Sequence, residues 1–572
     1  MDILGINHSI DAAAALIRDG EILAAVTDER FTRRKHSRDF PLDSVAYCLK
    51  HAGLDLASLD CVAFFWNPGL HLESLNVRRS GSVRHHSEYL SSLPSFLLAQ
   101  YPQGWERTRV THVEQRLFLE DRARPIEIVY VTHHLAHAAS AFFVSDFEEA
   151  AILTVDGYGE KTAAFLGQGT GNRIVRRKEI DFPHSLGAFY AAITQYLGFQ
   201  ANCDEGQVMG LAAHGEPRYA REFGDIIRLG PDGSIETDLS YFAYHQERPR
   251  RYAQKFIEHF GPERRPGEPL DARHKDIAAS AQQVLERALI HLGRHLQRVT
   301  GQKKLCLAGG VALNCVANSR LLEETDFQEA FIQPAAGDNG TSLGAALYVH
   351  HQLRDQPRRQ ARHSDYLGPS FGEDEIAGQL AESGIPHERH EDIAAQAAER
   401  IAAGEIIGWF QGRMEFGPRA LGNRSILADP RQAAVKQRLD ATIKRREAFR
   451  PYAPTVLAEA CARYFDGPGD SPFMLKSYRV RPEVRDSIPA VVHVDGSARV
   501  QTVDQAQNPL FWRLIREFEK RSGVPLVLNT SFNSRGETMV ATVGDALRCF
   551  FSTGLDSLVL GSFLVAKQGR RP

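Results

Sequence analysis

Two stretches carry residues of the right type and spacing to hold a metal ion. In residues 131–142 (VTHHLAHAASAF), His133 and His137 stand four apart in an alanine- and leucine-rich run that favours a helix. At 3.6 residues per turn, both imidazoles then share one face, one above the other. In residues 151–159 an apolar run stops at Asp156, and Gly157 and Gly159 permit a tight turn that exposes the carboxylate. Two imidazoles and a carboxylate beside a glycine turn suit a divalent metal that also touches a phosphate. The plain alternative is a histidine pair on a wet helix face and an aspartate that merely begins a turn. This stretch alone does not choose between them.

The elements around these residues follow one grammar twice. Residues 2–6, 12–17 and 22–26 read as three strands joined by a polar turn at 7–11 and a second turn at 18–21. Residues 151–155, 162–166 and 173–175 repeat the order, with turns at 156–159 and at a glycine-rich 167–172. This repeat predicts two similar half-domains facing each other across a cleft, the architecture of actin and the sugar kinases. There the two turns hold opposite ends of a nucleotide's phosphates, which makes Gly157 a candidate nucleotide contact. Three more glycine turns follow. Residues 204–215 are a turn feeding a short helix, and 305–318 read as strand, Gly309-Gly310 turn and helix, with Asn314 just beyond. The backbone N–H groups of that second turn can meet phosphate or sugar as a helix N-terminus does. The third, at 335–344, presents Asp338 ahead of a small-residue helix.

Length and composition set the frame. At 572 residues the chain is too long for one core, and 43% hydrophobic with 24% charged residues is ordinary for a soluble globular protein. A net charge of −3 gives no whole-chain reason to expect nucleic acid or an acidic membrane as a partner. Seven scattered cysteines without a C-x-x-C pair point to a reducing compartment and away from a thiolate zinc site. With no long apolar span and no signal-like leader, a cytoplasmic enzyme is the expectation. The basic run 29–36 reads as a solvated face, and the proline-broken run 248–265 as a surface loop. Residues 64–105, with Trp66, His85, His86, Tyr101 and Trp105, read as an insertion that either lines an acceptor pocket or packs as a small helical cap.

A polar, basic stretch at 353–365 reads as a linker between a unit at 1–352 and a second at 366–572. In the second unit Arg413, Arg419, Arg424, Lys444, Arg450 and Arg499 lie mostly near glycine or proline turns, where guanidinium forks suit phosphate or carboxylate. Asn529, Thr530, Ser531 and Asn533 end an apolar strand, so short polar groups can complete an anion cradle there. The competing reading is a set of structural arginines capping loops.

Taken in order, HHLAHAASAF, EGQVMGLAAHG, GGVALN, GDNGTSLGAA, FGPRALGNRSILADP, FRPYAP, VDGSARVQTV and LNTSFN resemble the NodU/CmcH family of O-carbamoyltransferases over nearly the whole chain. The resemblance implies an α/β fold: a duplicated actin/sugar-kinase-like N-terminal domain fused to an α/β domain like threonylcarbamoyl-adenylate synthases. It implies an iron(II)-type metal site, with manganese(II) as the alternative, at His133, His137, Asp156 and Asp338. His134 is the substitute ligand should the helix register differ. It implies a carbamoyl phosphate site at Arg419, Lys444, Arg499, Ser531 and Asn533. The expected chemistry is carbamoyl-adenylate formation from carbamoyl phosphate and ATP, with Mg(II) accompanying ATP, then transfer of the carbamoyl group to a small-molecule hydroxyl. Lys444 and Arg499 would stabilise the developing phosphate charge. Family members often carry a His-Asp pair in the first turn, whereas this chain has Ile10-Asp11 and a histidine only at His8. His8 and Asp11 are therefore both candidates for the acceptor's base. A homodimer is compatible with the sequence. A kinase or a tRNA-modifying protein is the rival reading, and neither accounts for both the arginine-rich second unit and the absence of a basic stripe.

Overall fold

The computed structural model describes residues 1–67, 111–120, 122–246, 250–358, 364–447 and 449–567. His85, His86, Tyr101 and Trp105 lie outside them. The chain divides into two units, one of Met1–Asp28 with His36–His363, the other of Glu29–Lys35 with Ser364–Pro572.

The first unit holds two sheets of like topology. In the first, β1 (Asp2–Asn7), β2 (Ala13–Arg18) and β3 (Glu21–Thr27) form an antiparallel meander. The chain then adds β4 (Cys61–Phe64), β5 (His112–Leu117) and β6 (Ile126–Val131), in the order β3-β2-β1-β4-β6-β5. In the second, β7 (Glu149–Val155), β8 (Thr162–Thr170) and β9 (Arg173–Asp181) repeat the meander. After a small hairpin of β10 (Ile227–Leu229) and β11 (Ile235–Thr237), β12 (Lys304–Ala308) and β13 (Glu329–Ile332) complete the order β13-β12-β7-β8-β9. In both sheets the meander's first strand pairs in parallel with the strand that follows the meander, β1 with β4 and β7 with β12. Parallel pairing demands a crossover and cover on both faces, which is why β7 and β12 read as nearly unbroken apolar runs. This is the duplicated actin-like α/β arrangement.

Helices α1 (His133–Phe142), α2 (Leu186–Tyr196), α3 (Cys315–Glu323) and α4 (Asn339–Tyr348) matter most for the site. Helix α4 runs in backbone contact with both β1 and α1. A Cβ on Gly5 would sit 1.8 Å from the Ser342 carbonyl oxygen, and one on Gly344 would sit 1.8 Å from that of Ala136. Glycine is the only residue that allows either approach. Arg358 fixes the other end of α1, donating from its guanidinium to Phe142 O at 2.7 Å and Ser145 O at 2.8 Å. A cation there also suits the negative end of the helix.

The second unit is built on a ten-stranded mixed sheet. Its strands are β14 (Glu388–Arg389), β15 (Ile407–Phe410), β16 (Arg424–Ala428), β17 (Ala453–Leu457), β18 (Phe465–Asp466), β19 (Lys476–Val480), β20 (Ser497–Val503), β21 (Leu526–Ser531), β22 (Ser557–Leu560) and β23 (Phe563–Ala566). Their order is β14-β23-β22-β15-β16-β21-β17-β20-β19-β18. Trp409, Phe410, Phe511, Phe518 and Val527 lie in the core on which it rests.

Four expectations are corrected. The turn at 167–172 shrinks, because β8 continues to Thr170; the rings of Phe165 and Phe142 fill the space where Cβ atoms of Gly167 and Gly169 would stand. Of the run 248–265, the described residues 250–265 are not a surface loop throughout: they contain a helix, Gln254–Phe260, that buries Phe256 and Phe260. The basic run 29–36 is not solvated throughout. Glu29 and Arg30 are buried, and Arg33 donates to the carbonyls of Met539 and Thr538 at 2.6 and 2.8 Å. In the stretch that reads as a linker, Arg354 pairs with Glu114 and Glu127 and Arg358 clamps α1, so its first residues belong to the packed unit.

If α4 depends on backbone contact, Gly344→Ala should lower unfolding free energy by about 1–3 kcal/mol, seen as a lower denaturant midpoint. Gly157→Ala, whose added Cβ would meet nothing within 4 Å, should leave the midpoint almost unmoved. Equal losses would show that close approach is not the cause.

Candidate metal centre and anion cradle

The first-unit site is assembled from three chain segments. Helix α1 supplies His133 and His137, the end of β7 supplies Asp156, and the residue ahead of α4 supplies Asp338. One ligand atom from each lies within 4.8 Å of all the others. His137 Nε2 is 3.0 Å and His133 Nε2 3.3 Å from Asp156 Oδ2. The same nitrogens stand 3.6 and 3.7 Å from Asp338 Oδ1, and 3.1 Å from each other. The imidazoles are fully buried, while the Asp156 and Asp338 side chains keep 17% and 15% exposure, so the centre opens on its carboxylate side.

The donor set fits a divalent cation. Each neutral imidazole has one N–H and one lone pair, yet the two Nε2 atoms face each other and the same two carboxylates. Both Nδ1 atoms are buried without a hydrogen-bond partner among the described residues. A mixed set of two nitrogens and two oxygens with no sulfur suits iron or manganese better than structural zinc. The electrostatics agree. Burial opposes an imidazolium at His137, but its hydrogen bonds to Asp156 and Asp338 prevail and carry its pKa up to about 9. Burial likewise opposes the Asp156 carboxylate, and His133 and His137 still hold it well below the usual range.

Supporting residues fix this geometry. Ser9 Oγ, in the first turn, lies 2.5 Å from Asp338 Oδ2, and buried Asn7 knits that turn by accepting from Ser9 N at 2.8 Å and donating to Asp11 O at 3.1 Å. The carboxylate of buried Glu160 accepts the N–H groups of His133, at 3.1 Å, and of Asn67, at 2.7 Å. It serves as the N-terminal anchor of α1, whose cap residue Thr132 makes no side-chain cap bond. Gly309, at φ +89°, and Gly310 bring the next strand against Asp156: their Cβ atoms would stand 2.3 Å from Val155 O and 3.1 Å from Asp156 Oδ1. Asn314 caps α3 through Ala317 N at 3.0 Å and exchanges hydrogen bonds with Gln282. Gly157 donates to Asp156 Oδ1 at 2.6 Å. His134 turns away, its Nδ1 2.6 Å from Thr154 Oγ1, and burial pushes its pKa down. His8 is exposed, with its ring among those of Phe40, Phe64 and Phe65, whereas Asp11 pairs with His36 at 2.8 Å. Ser9, Glu160 and His36 were missed in the sequence because each acts on a residue remote in the chain.

In the second unit Lys444 is buried and donates to Asn533 Oδ1 at 2.7 Å and Ser531 O at 2.5 Å, with Ser531 Oγ at 3.3 Å. Burial pushes the Lys444 pKa well down, and the positive charges of Arg446, Arg450 and Lys35 add to it. Arg499 and Gln501 share a face of β20, as Asn529 and Ser531 share a face of β21. Gln501 Oε1 accepts from Asn529 Nδ2 at 3.1 Å, so these four side chains occupy one side of the sheet. Gln501 also donates to Leu421 O at 2.9 Å, tying down the loop that carries half-buried Arg419. Glu415 shapes that loop: one carboxylate oxygen accepts the N–H groups of Leu421 and Asn423, each at 2.7 Å. Two of the predicted cations instead serve the framework. Fully buried Arg424 donates to the carbonyls of Gln411 and Pro369 with its guanidinium over Phe410, and Arg413 donates to the Leu367 carbonyl.

The first unit thus carries a two-histidine, two-aspartate cluster, and the second a buried lysine set among the polar groups of Ser531 and Asn533. The chain belongs to the carbamoyltransferase family, in its NodU/CmcH O-carbamoyltransferase branch: residues 2–347 match the family's "Carbamoyltransferase N-terminus" and 398–567 its "Carbamoyltransferase C-terminus". An uncharacterized protein of Synechocystis sp. is 42% identical, covering 99% of this chain and 96% of its own. Nodulation protein NolNO of Sinorhizobium fredii is 41% identical over 98% of this chain and 80% of its own. The 3'-hydroxymethylcephem-O-carbamoyltransferase of Amycolatopsis lactamdurans is 29% identical over 75% and 79% respectively. No helix among the described residues is long and apolar enough to cross a membrane.

Two outcomes follow from this geometry. Ser9→Ala should weaken divalent-metal binding about tenfold, measured by competition with a fluorescent chelator. In chelator-treated protein His137 has a folded pKa of about 9 against an ordinary 6.5, so its contribution is present below pH 6.5 and lost as pH rises toward 9. The melting temperature of that protein should fall across this window, and His137→Gln should flatten the decline.

Proposed function

We propose that this enzyme is an ATP-dependent O-carbamoyltransferase that makes carbamoyl-adenylate in residues 366–572 and consumes it in residues 1–352. The observation that carries the reading is the convergence of His133, His137, Asp156 and Asp338 on one point, with a separate cationic cradle around Lys444. Carbamate is a poor electrophile until its oxygen carries a good leaving group. Carbamoyl phosphate, with one water, would give carbamate and phosphate, and the carbamate oxygen would attack the α-phosphorus of ATP, with Mg(II), giving carbamoyl-adenylate and pyrophosphate. Lys444, Arg419 and Arg499 would hold the phosphate oxygens, and Ser531 and Asn533 would orient the carbamoyl phosphate. Burial at Lys444 strengthens each such contact, because little water competes for it.

In the first unit the four ligands would hold iron(II), or manganese(II), which supplies Lewis acidity toward the adenylate phosphate. Gly157, Gly309, Gly310 and Asn314 would border the nucleotide. An acceptor hydroxyl would attack the carbamoyl carbon and pass its proton to a neighbouring base. Asp11, paired with His36, suits that role better than exposed His8. The acceptor is a small-molecule alcohol, in keeping with the hydroxymethyl group named for the Amycolatopsis relative. The enzyme works in the cytoplasm, without nucleic acid or membrane, and a homodimer is compatible with this scheme.

Lys444→Ala should cut pyrophosphate release from carbamoyl phosphate and ATP by about a hundredfold or more. His137→Ala should leave that release near normal and stop carbamoylation of an alcohol panel, read by mass spectrometry. Equal loss of both steps in each variant would contradict two separate sites.

A further inference from the structure

One buried acceptor atom in the second unit lacks a donor, and the hydrogen bonds around it fix which atom it is. The Leu421 carbonyl can only accept, so the Gln501 group 2.9 Å from it is Nε2, and Gln501 Oε1 points the other way. That oxygen accepts from Thr455 Oγ1 at 2.7 Å and from Asn529 at 3.1 Å, so the Asn529 group facing it is Nδ2. The Ala420 carbonyl, 3.4 Å from the same Nδ2, requires the same orientation, and Thr455 Oγ1 accepts from it at 3.0 Å. The Asn529 amide hydrogens are thereby used, and its Oδ1 is left buried with no hydrogen-bond partner. Asn529 is 1% exposed, and its strand β21 is paired on both sides, with β16 and β17, so the residue cannot turn its oxygen out to solvent.

A buried acceptor of this kind costs stability unless something donates to it. Phosphate cannot, because its oxygens are acceptors too. Arg419, Lys444, Arg499 and Ser531 can each donate to a phosphate, which leaves the Asn529 oxygen as the odd member of the cradle. Ser531 stands two residues along β21 on the same face, about 7 Å away, and Lys444 donates to the Ser531 carbonyl at 2.5 Å. Ala420, which Asn529 touches, directly follows Arg419. An anion held by the cations therefore has room to present its other end to Asn529.

We propose that Asn529 Oδ1 recognises the –NH2 group of the carbamoyl donor and so makes this unit select a carbamoyl over an acyl substrate. The proposal rests on the reading that the Lys444 cradle binds carbamoyl phosphate. In that scheme the amino group is the part that never changes: carbamoyl phosphate, carbamate and carbamoyl-adenylate all carry it. A contact there holds the small fragment while its oxygen changes partner. Acetyl phosphate has nearly the same shape but a methyl group in that place. A site built to take up an N–H rejects such an analogue, because its own buried acceptor is then left unpaired. Thr455 and Gln501 are positioning residues, since they occupy Nδ2 and thereby aim Oδ1.

The test compares two ligands that share a phosphonate and differ in one group. Phosphonoacetamide carries –NH2 where acetonylphosphonate carries –CH3, and neither can transfer its group. Titration calorimetry on the full-length protein should show phosphonoacetamide binding about tenfold or more tightly than acetonylphosphonate. In Asn529→Ala the ratio should fall to near one, and Asn529→Ser, too short to reach the amino group, takes its place should the alanine variant not fold. Equal affinity of the two phosphonates for the unsubstituted protein overturns the proposal, and so does a ratio that survives both substitutions. Inorganic phosphate separates this failure from that of the underlying reading. If phosphate and both phosphonates bind alike, Asn529 has no such role and the cradle stands; if none of the three binds, the cradle falls and the proposal with it.

Discussion

Two buried imidazole nitrogens 3.1 Å apart, both facing the same pair of carboxylates, impose a charge requirement that the rest of the first unit serves. Four electron-pair donors crowded at one point need a cation or a shared proton between them, because burial removes the water that would otherwise relieve them. Everything nearby limits how far the donors can retreat. Glu160 anchors the start of α1 and Arg358 its end, Gly344 lets α4 lie against it, and Ser9 holds Asp338 from the other half-domain. The centre is thus a product of the duplicated architecture: the first sheet's turn supports a ligand that the second half delivers.

The second unit meets a different constraint with the same economy. The Lys444 amine is buried among carbonyl and amide oxygens, and the charges of Arg446, Arg450 and Lys35 add to the effect of burial on it. Burial disfavours the charged form of such a group unless an anion compensates it, which is what the proposed phosphate role would supply. The neighbouring buried amides, Asn529 and Gln501, connect strands β21, β17 and β20 to the arginine loop through Thr455 and Leu421. Glu415 gives that loop its shape from within.

Much of this was legible in the sequence, for reasons that are local. The i, i+4 spacing of His133 and His137 depends only on helix periodicity, and Asp156 only on where an apolar run stops. Lys444, Ser531 and Asn533 were named only through family motifs; in the fold Lys444 donates to the other two. What stayed hidden was long-range. Ser9 and Asp338 are 329 residues apart, and no pattern in the polar first turn tells which carboxylate its hydroxyl will meet. Glu160 reads as one more charge in a turn until the start of α1 is seen resting on it. Composition misled where packing overruled it. The run 29–36 looks solvated yet buries Arg30, and Arg424 looks like a phosphate ligand yet spends its guanidinium on four backbone carbonyls. Glycines 167 and 169 look like a turn because sequence alone cannot show that aromatic rings lie over them.

His133, His137, Asp156 and Asp338, from three segments, would share one metal ion. X-ray absorption fine structure of the iron(II)-loaded full-length protein measures this directly. The expected spectrum has nearest neighbours of nitrogen and oxygen only, with the multiple-scattering signature of two imidazoles. A shell containing sulfur, or one with fewer than two imidazoles, would contradict it.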